Sequence, residues 1–254
     1  MIRRKIKIKI AQNEFDFEPK STLEPNLWEI DQRGVGEGDS LKREIRNRLL
    51  TIAEEFIKFL KINIDPEDIT FTGSLANYNY TKYSDIDLHI IFDYDKIDEN
   101  EELVAGFLMS KKNLWNNKHA IGIKGYEVEI YPQNSKEVHH STGVYSIKDD
   151  SWLIMPKKSV LRPQEISVSD IKKKAQEIID DIDNIESSQE KIIEIDRLKD
   201  KIRRMRKAGL ERGGEYSIEN LAFKLLRRMD YLNKLEKIKT KEYDQSFSLN
   251  GAIS

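Results

Sequence analysis

The most informative stretch of the sequence is residues 71 to 91, which reads Phe-Thr-Gly-Ser-Leu-Ala-Asn-Tyr-Asn-Tyr-Thr-Lys-Tyr-Ser-Asp-Ile-Asp-Leu-His-Ile-Ile. Ten residues separate Ser74 from Asp85. They suffice for a short helix start and a return loop, so one strand can end at Gly73 and a neighbouring strand can begin at Asp85. Because strand side chains alternate between two faces, Asp85 and Asp87 are predicted to share one face. Such like charges repel unless a cation lies between them, and carboxylate oxygens are ligands that Mg²⁺ prefers.

Gly73 and Ser74 have the properties of a phosphate-binding turn. Glycine lets the backbone approach a ligand closely, and Ser74 offers a hydroxyl and an N–H group at a predicted helix start. A nucleoside triphosphate bound at this turn could share metal ions with Asp85 and Asp87. The alternative is an ordinary turn followed by the solvated face of an antiparallel strand.

The combination of Gly-Ser, a spacer of this length and Asp-x-Asp on a strand resembles the signature of the DNA polymerase β-type nucleotidyltransferase superfamily. The resemblance implies an α+β fold, in which a small mixed sheet with helices is followed by a C-terminal helical bundle. It implies transfer of a nucleoside monophosphate from a nucleoside triphosphate to an acceptor hydroxyl, with release of pyrophosphate. It further implies that Mg²⁺ or Mn²⁺ is bound by Asp85, Asp87 and a third carboxylate, and that Gly73 and Ser74 position the β- and γ-phosphates.

The third carboxylate is predicted in the segment Gly-Tyr-Glu-Val-Glu-Ile-Tyr at residues 125 to 131. Its alternation places Glu127 and Glu129 on one strand face and apolar residues on the other. In the superfamily the third acid is typically flanked by aliphatic residues, as Glu129 is by Val128 and Ile130. Glu129 is therefore the predicted third acid and Glu127 the alternative, and both could also belong to a solvated strand face.

The sequence departs from many members of the superfamily directly after the turn. Many members follow Gly-Ser with an arginine and a further glycine, whereas this chain continues with Leu-Ala-Asn-Tyr at residues 75 to 78. The positive charge for the phosphates must then come from Lys82 or from the C-terminal region, where Lys224 is a candidate. Otherwise triphosphate binding is weak.

Composition shifts along the chain predict four segments. Residues 1–40 form an N-terminal strand and an irregular arm, which Trp28 anchors, and residues 41–155 form the nucleotidyltransferase core. Residues 164–240 form the helical bundle, and residues 241–254 form a polar tail. Within the bundle, the apolar spacing predicts one helix capped by Ser169, a second from about residue 188 to 209, and a third capped by Ser217 that continues through residue 235.

The overall composition fits a cytoplasmic enzyme. The chain of 254 residues has 43 basic and 45 acidic residues and no cysteine, which excludes disulfides and thiol nucleophiles. No apolar run reaches the length of a membrane span. The basic helices of the bundle favour RNA or a nucleotide over another small molecule as the acceptor. The competing hypothesis is a non-catalytic nucleotide-binding or toxin-antitoxin-type interaction protein on a transferase-like core.

Overall fold

The computed structural model describes residues 17–30, 38–138, 141–158 and 167–249. The chain divides into two compact units, one of residues 18–161 and one of residues 1–17 together with 162–254. The N-terminal strand predicted within residues 1–10 lies outside the described residues. None of the described helices has both the length and the apolar character needed to cross a membrane.

The unit of residues 18–161 contains a short ribbon and a larger mixed sheet. The antiparallel strands of the ribbon are β1 (Trp28–Glu29) and β2 (Ser40–Leu41). The strands of the sheet are β3 (Asp68–Thr72), β4 (Ile86–Phe92), β5 (Gly122–Ile123), β6 (Tyr126–Asn134), β7 (Val144–Ser146) and β8 (Ser151–Ile154). Their order is β5-β6-β4-β3-β7-β8, with β4 antiparallel to β3 and parallel to β6. The predicted α+β fold with a mixed sheet is confirmed.

Two helices pack against this sheet, α1 (Arg43–Leu60) and α2 (Glu101–Lys118). α1 contacts β4, and α2 contacts β6. The buried apolar residues of α1 recur at helical spacing and are Ile45, Leu49, Ile52, Ala53, Phe56 and Leu60. They join the buried positions of β4, namely Ile86, Leu88 and Ile90, in one core. The alternate positions Asp87 and His89 are only half-buried, so β4 presents its polar residues on the sheet face opposite its core positions.

The arm before α1 is anchored by aromatic packing. As predicted, Trp28 is buried, and it stacks on Phe71 of β3 and on Trp152 of β8, with ring centroids 5.5 and 4.8 Å apart. Tyr145 of β7 meets the same indole edge-on at 5.1 Å. The indole Nε1 donates a hydrogen bond of 2.8 Å to the carbonyl oxygen of Leu75. The described part of the arm is therefore integrated into the core.

The described helices of the second unit are α3 (Val168–Ile185), α4 (Lys191–Gly213), α5 (Ile218–Arg228) and α6 (Tyr231–Phe247). Their apolar stripes form one core that includes Ile171, Ile178, Ile182, Leu198, Ile202 and Leu225. The helix start predicted at Ser169 is wrong by two residues. Ser167 is the N-cap, because its backbone is extended and its hydroxyl accepts a hydrogen bond from the N–H of Asp170.

The third helix of the predicted bundle is two helices, α5 and α6. Ser217 caps α5 as predicted, but Asp230 adopts a left-handed conformation with φ of 62° and separates the helices. Aspartate tolerates this conformation better than most residues, and the carboxylate of Asp230 accepts a hydrogen bond of 2.7 Å from Asn233. The predicted boundary at residue 240 falls inside α6, which continues to Phe247.

Candidate active site

The sheet register brings two of the three predicted acids, Asp87 and Glu129, to one row. Asp87 of β4 lies opposite Thr72 of β3 on one side and opposite Glu129 of the parallel strand β6 on the other. Residues opposite each other on neighbouring strands share a sheet face, and neighbouring strands lie about 4.8 Å apart. Thr72 ends β3 directly before Gly73, so the row connects the predicted phosphate turn to the predicted third acid.

Gly73 lies against the carboxylate of Asp87. Its φ of +79° falls in the left-handed region that favours glycine, and a Cβ at this position would lie 1.8 Å from Oδ2 of Asp87. No other residue type fits here without movement of the carboxylate or the backbone. The turn is thus in direct contact with Asp87, as the sequence predicted.

The helix start predicted at Ser74 is only a single 3₁₀ turn, Ser74–Ala76. A turn of three residues has little cumulative dipole, so an anion here would bind to individual N–H groups rather than to a helix terminus. The hydrogen bond from the indole of Trp28 to the carbonyl oxygen of Leu75 stabilises the turn. The backbone of Gly143 also packs closely against the turn. A Cβ at Gly143 would lie 2.1 Å from the carbonyl oxygen of Ala76.

Ser84 is a site residue that the sequence analysis missed. Its hydroxyl oxygen accepts a hydrogen bond of 2.7 Å from the hydroxyl of Ser74 and one of 3.0 Å from the N–H of Thr81. Ser84 is buried and directly precedes Asp85. It therefore connects the turn at Gly73 and Ser74 to the loop that leads into β4. A serine beside the first aspartate was a visible signal, but its partner could not be read from the sequence.

The chemistry of the donors fits the predicted metal. Carboxylate oxygens suit Mg²⁺ or Mn²⁺, and Asp87 and Glu129 are adjacent in the register, with Asp85 just before β4. The side chains as placed do not converge: within the described ranges, no three His, Cys, Asp or Glu side chains lie close enough together to hold a metal ion. Glu129 is exposed, so packing does not fix its carboxylate. Metal binding by these residues stays a prediction.

Three lysines lie near the loop that follows the turn. Lys82, the predicted phosphate ligand, is exposed and its ammonium lies 4.9 Å from the ring centroid of Tyr83. Lys158 lies 5.5 Å from the ring centroid of Tyr78, and Lys20 lies 6.0 Å from that of Tyr80. Lys20 and Lys158 were not predicted from the sequence, because each is more than fifty residues from Tyr78 along the chain.

Lys224, the other predicted phosphate ligand, lies in the helical unit. Its ammonium pairs with Glu215 at 2.8 Å. Burial lowers the pKa of Lys224, although the carboxylate of Glu215 acts in the opposite direction. Burial alone would raise the pKa of Glu215, but attraction by Lys224 and Arg206 and hydrogen bonds from Lys224 and Asn220 lower it overall. The structure thus gives Lys224 a partner within its own unit, and its role in phosphate binding stays a prediction.

The next row on the acid face carries aromatic side chains. His89 of β4 lies opposite Tyr131 of β6, and their rings stack with centroids 5.1 Å apart. Nδ1 of His89 lies 2.7 Å from Oε1 of Gln133, and the ammonium of Lys112 lies 4.6 Å from the Tyr131 ring centroid. This aromatic row directly follows the row of Asp87 and Glu129 along both strands.

Comparison with known proteins agrees with this arrangement. The model of the nucleotidyltransferase domain family matches residues 53–212, a range that includes the turn, the acid strand and β6. Since the match covers more than half of the chain, the protein belongs to the nucleotidyltransferase domain family. No curated protein and no solved structure matches the chain.

Proposed function

We propose that the protein is a metal-dependent nucleotidyltransferase that moves a nucleoside monophosphate from a nucleoside triphosphate to an acceptor hydroxyl. The observation that supports this most strongly is the contact between the turn and the acids. Gly73 lies against Asp87, and Asp87 lies opposite Glu129 in the register. A triphosphate on the turn would thus have its α-phosphorus near the carboxylates.

In the proposed reaction, the acceptor oxygen forms a bond to the α-phosphorus as the bond from that phosphorus to the pyrophosphate oxygen breaks. The turn at Gly73 and Ser74 binds the β- and γ-phosphates through its N–H groups, and Ser84 orients the Ser74 hydroxyl. Glu129 accepts the proton that leaves the acceptor hydroxyl. Two Mg²⁺ or Mn²⁺ ions, held by Asp85, Asp87 and Glu129, would stabilise the charge on the attacking and departing oxygens.

We further propose that the acceptor is RNA or a nucleotide. The row of His89 and Tyr131 continues the acid face beyond Glu129, and Lys112 lies over the Tyr131 ring. Bases bind to proteins by contact with aromatic rings, and phosphates bind to lysine. Such a row beside the proposed proton acceptor suits a nucleotide better than it suits an acceptor without rings.

The test is the release of labelled pyrophosphate from each of the four nucleoside triphosphates, with Mg²⁺ or Mn²⁺ and with or without total cellular RNA. The wild type is expected to release pyrophosphate, and Asp87→Asn should reduce the rate at least about 100-fold without loss of folding. The matched control is Asp65→Asn, which changes an exposed acid between α1 and β3. Full activity of Asp87→Asn would exclude the proposed site.

The same assay separates the competing hypothesis. If nucleoside triphosphates bind but no pyrophosphate is released in any mixture, and if Asp87→Asn leaves the affinity unchanged, a non-catalytic nucleotide-binding protein is the better description. Loss of release on removal of divalent ions with EDTA, with recovery on readdition of Mg²⁺ or Mn²⁺, is expected for the transferase.

A further inference from the structure

A pocket of about 330 Å³ lies among α4, α5 and α6 in the helical unit. Its apolar lining consists of Ile202, Phe223, Leu232 and Leu235. Its charged lining consists of Lys199, Arg203, Arg206 and Glu236. Pockets of this size accept small organic ligands, and a mainly apolar lining with a few polar groups is typical of them.

The charges of the lining leave an excess of positive charge. Lys199 pairs with Glu236 at 2.5 Å, and Arg203 pairs with Asp200 of its own helix at 3.0 Å. Arg206 makes no ion pair within salt-bridge distance among the described residues, but the carboxylate of Glu215 attracts its charge from further away. The direct ion pair of Glu215 is with Lys224, at 2.8 Å.

Arg206 is also the cation of the lining that is best fixed in place. Its Nε donates a hydrogen bond of 3.2 Å to Oδ1 of Asn220, which is fully buried. Its guanidinium carbon lies 4.3 Å from the ring centroid of Phe223. The side chain is half-buried, and burial lowers the pKa of Arg206, although the attraction of Glu215 acts in the opposite direction. A half-buried guanidinium at the wall of a mainly apolar pocket favours an anionic ligand, because burial is costly for an isolated charge.

We propose that this pocket binds a small aromatic anion, with the anionic group at the guanidinium of Arg206 and the ring against the apolar lining. Arginine is suited to phosphate, sulfonate and carboxylate groups because its planar guanidinium presents several donors. The ring is required because Ile202, Phe223, Leu232 and Leu235 offer apolar surface and no hydrogen-bonding side chain. The site lies within one unit and does not depend on the proposed transferase reaction.

The test uses the aryl sulfonate 8-anilinonaphthalene-1-sulfonate, whose fluorescence rises in apolar surroundings, with the full-length protein. We expect saturable binding by the wild type. Loss of the charge in Arg206→Gln should weaken binding about tenfold or more, because the anionic group loses a charged hydrogen-bond donor. Arg206→Lys should lie between the two. The matched control is Arg204→Gln, which removes an exposed arginine of α4 that does not line the pocket.

Displacement of the probe identifies the part of the ligand that is recognised. Phenyl phosphate and adenosine monophosphate each carry a phosphate group and an aromatic ring. At least one of them should displace the probe at lower concentration than inorganic phosphate does. Displacement by inorganic phosphate at equal or lower concentration would overturn the requirement for a ring.

Two further results would overturn the proposal as a whole. One is equal affinity of the probe for the wild type and Arg206→Gln, and the other is an equal loss in Arg204→Gln. If circular dichroism shows that Arg206→Gln does not fold, Arg206→Lys and Phe223→Leu decide instead. Each should weaken binding, and unchanged affinity in both would exclude the site.

Discussion

The hydroxyl of Ser74 donates a hydrogen bond of 2.7 Å to the hydroxyl of Ser84, ten residues further along the chain. Ser84 also accepts the N–H of Thr81, and its backbone N–H donates to the carbonyl oxygen of Thr81 at 3.0 Å. The turn at Gly73 and Ser74 and the loop before Asp85 therefore share the Ser84 hydroxyl as a hydrogen-bonding centre. Ser84 does not need to touch a substrate to affect how Ser74 is presented.

Ser84→Ala is expected to raise the KM for the nucleoside triphosphate about 3- to 10-fold, with a smaller change in kcat. The variant loses an acceptor for two hydrogen bonds, each of which contributes on the order of 1 kcal/mol. Ser84→Thr keeps the hydroxyl and should restore most of the affinity. Ser110→Ala, which removes an exposed hydroxyl of α2 that bonds only within its own helix, is the control. An unchanged KM in Ser84→Ala would show that Ser84 does not position the turn.

The choice between the two candidate third acids can be tested on a single strand. Glu129→Gln is expected to lower kcat about 100-fold or more, because Glu129 lies opposite Asp87 in the register. Glu127→Gln changes a carboxylate that is also exposed and on the same face, but lies opposite Gly122 of β5, and it should keep most activity. Pyrophosphate release measured at saturating substrate distinguishes them. The reverse order of effects would assign the third acid to Glu127.

Gly73→Ala is expected to abolish pyrophosphate release and to lower the free energy of unfolding by about 1 to 3 kcal/mol. The new methyl group would combine a positive φ with a collision at Asp87 Oδ2. The matched control is Gly106→Ala in α2, where no atom lies within 4 Å of the added Cβ. That change should stabilise the protein by about 0.5 to 1 kcal/mol, as alanine does in helix interiors. Equal effects of the two changes in urea unfolding would contradict the contact.

Asp68→Asn should stabilise the protein at pH 7 and have little effect at pH 4. Burial raises the pKa of Asp68 above 3.8, although hydrogen bonds from Ser146 and from the N–H of Ile69 act in the opposite direction. A raised pKa in the folded state means that the contribution of Asp68 to stability is greatest below pH 3.8 and is lost as the pH rises through the raised value. Asparagine stays neutral and keeps the Oδ1 acceptor.

The measurement is the difference in Tm between Asp68→Asn and the wild type at several values of pH. The difference should grow from pH 4 to pH 7, whereas the exposed control Asp65→Asn should show little change. A constant difference across this range would show that the ionisation of Asp68 does not oppose folding.

The faces of the core strands could be predicted because they depend only on neighbouring residues in the sequence. Alternation along Asp85 to Leu88 and along Tyr126 to Tyr131 assigned faces correctly, since strand periodicity is a property of neighbouring residues. The pairing of Asp87 with Glu129 was compatible with the sequence but depended on the superfamily resemblance, because register between distant strands has no local signal. The contacts of the turn with Ser84 and Trp28 had no local signal either. Ser84 is ten residues from its partner Ser74, and Trp28 is forty-seven residues from its partner Leu75.

The errors in the helical unit have a different cause. Ser167 and Ser169 are both acceptable caps, and only the backbone conformation at Ser167 decides between them. The apolar stripe continues from Leu221 to Leu235 without interruption, so periodicity alone could not reveal the left-handed residue at Asp230. The break between α5 and α6 depends on the backbone conformation of this one residue and not on the apolar pattern.

The bond from the Trp28 indole to the Leu75 carbonyl has a consequence for how the domain is delimited. The family match begins at residue 53, yet the indole that supports the turn at Leu75 comes from the arm, twenty-five residues before that boundary. A fragment cut to the family boundary would retain every acid and lose the support of the turn. In folding, this contact closes a long loop, and such closure is slow compared with the formation of local structure. We therefore expect the turn to reach its native conformation after the strands that it joins have formed.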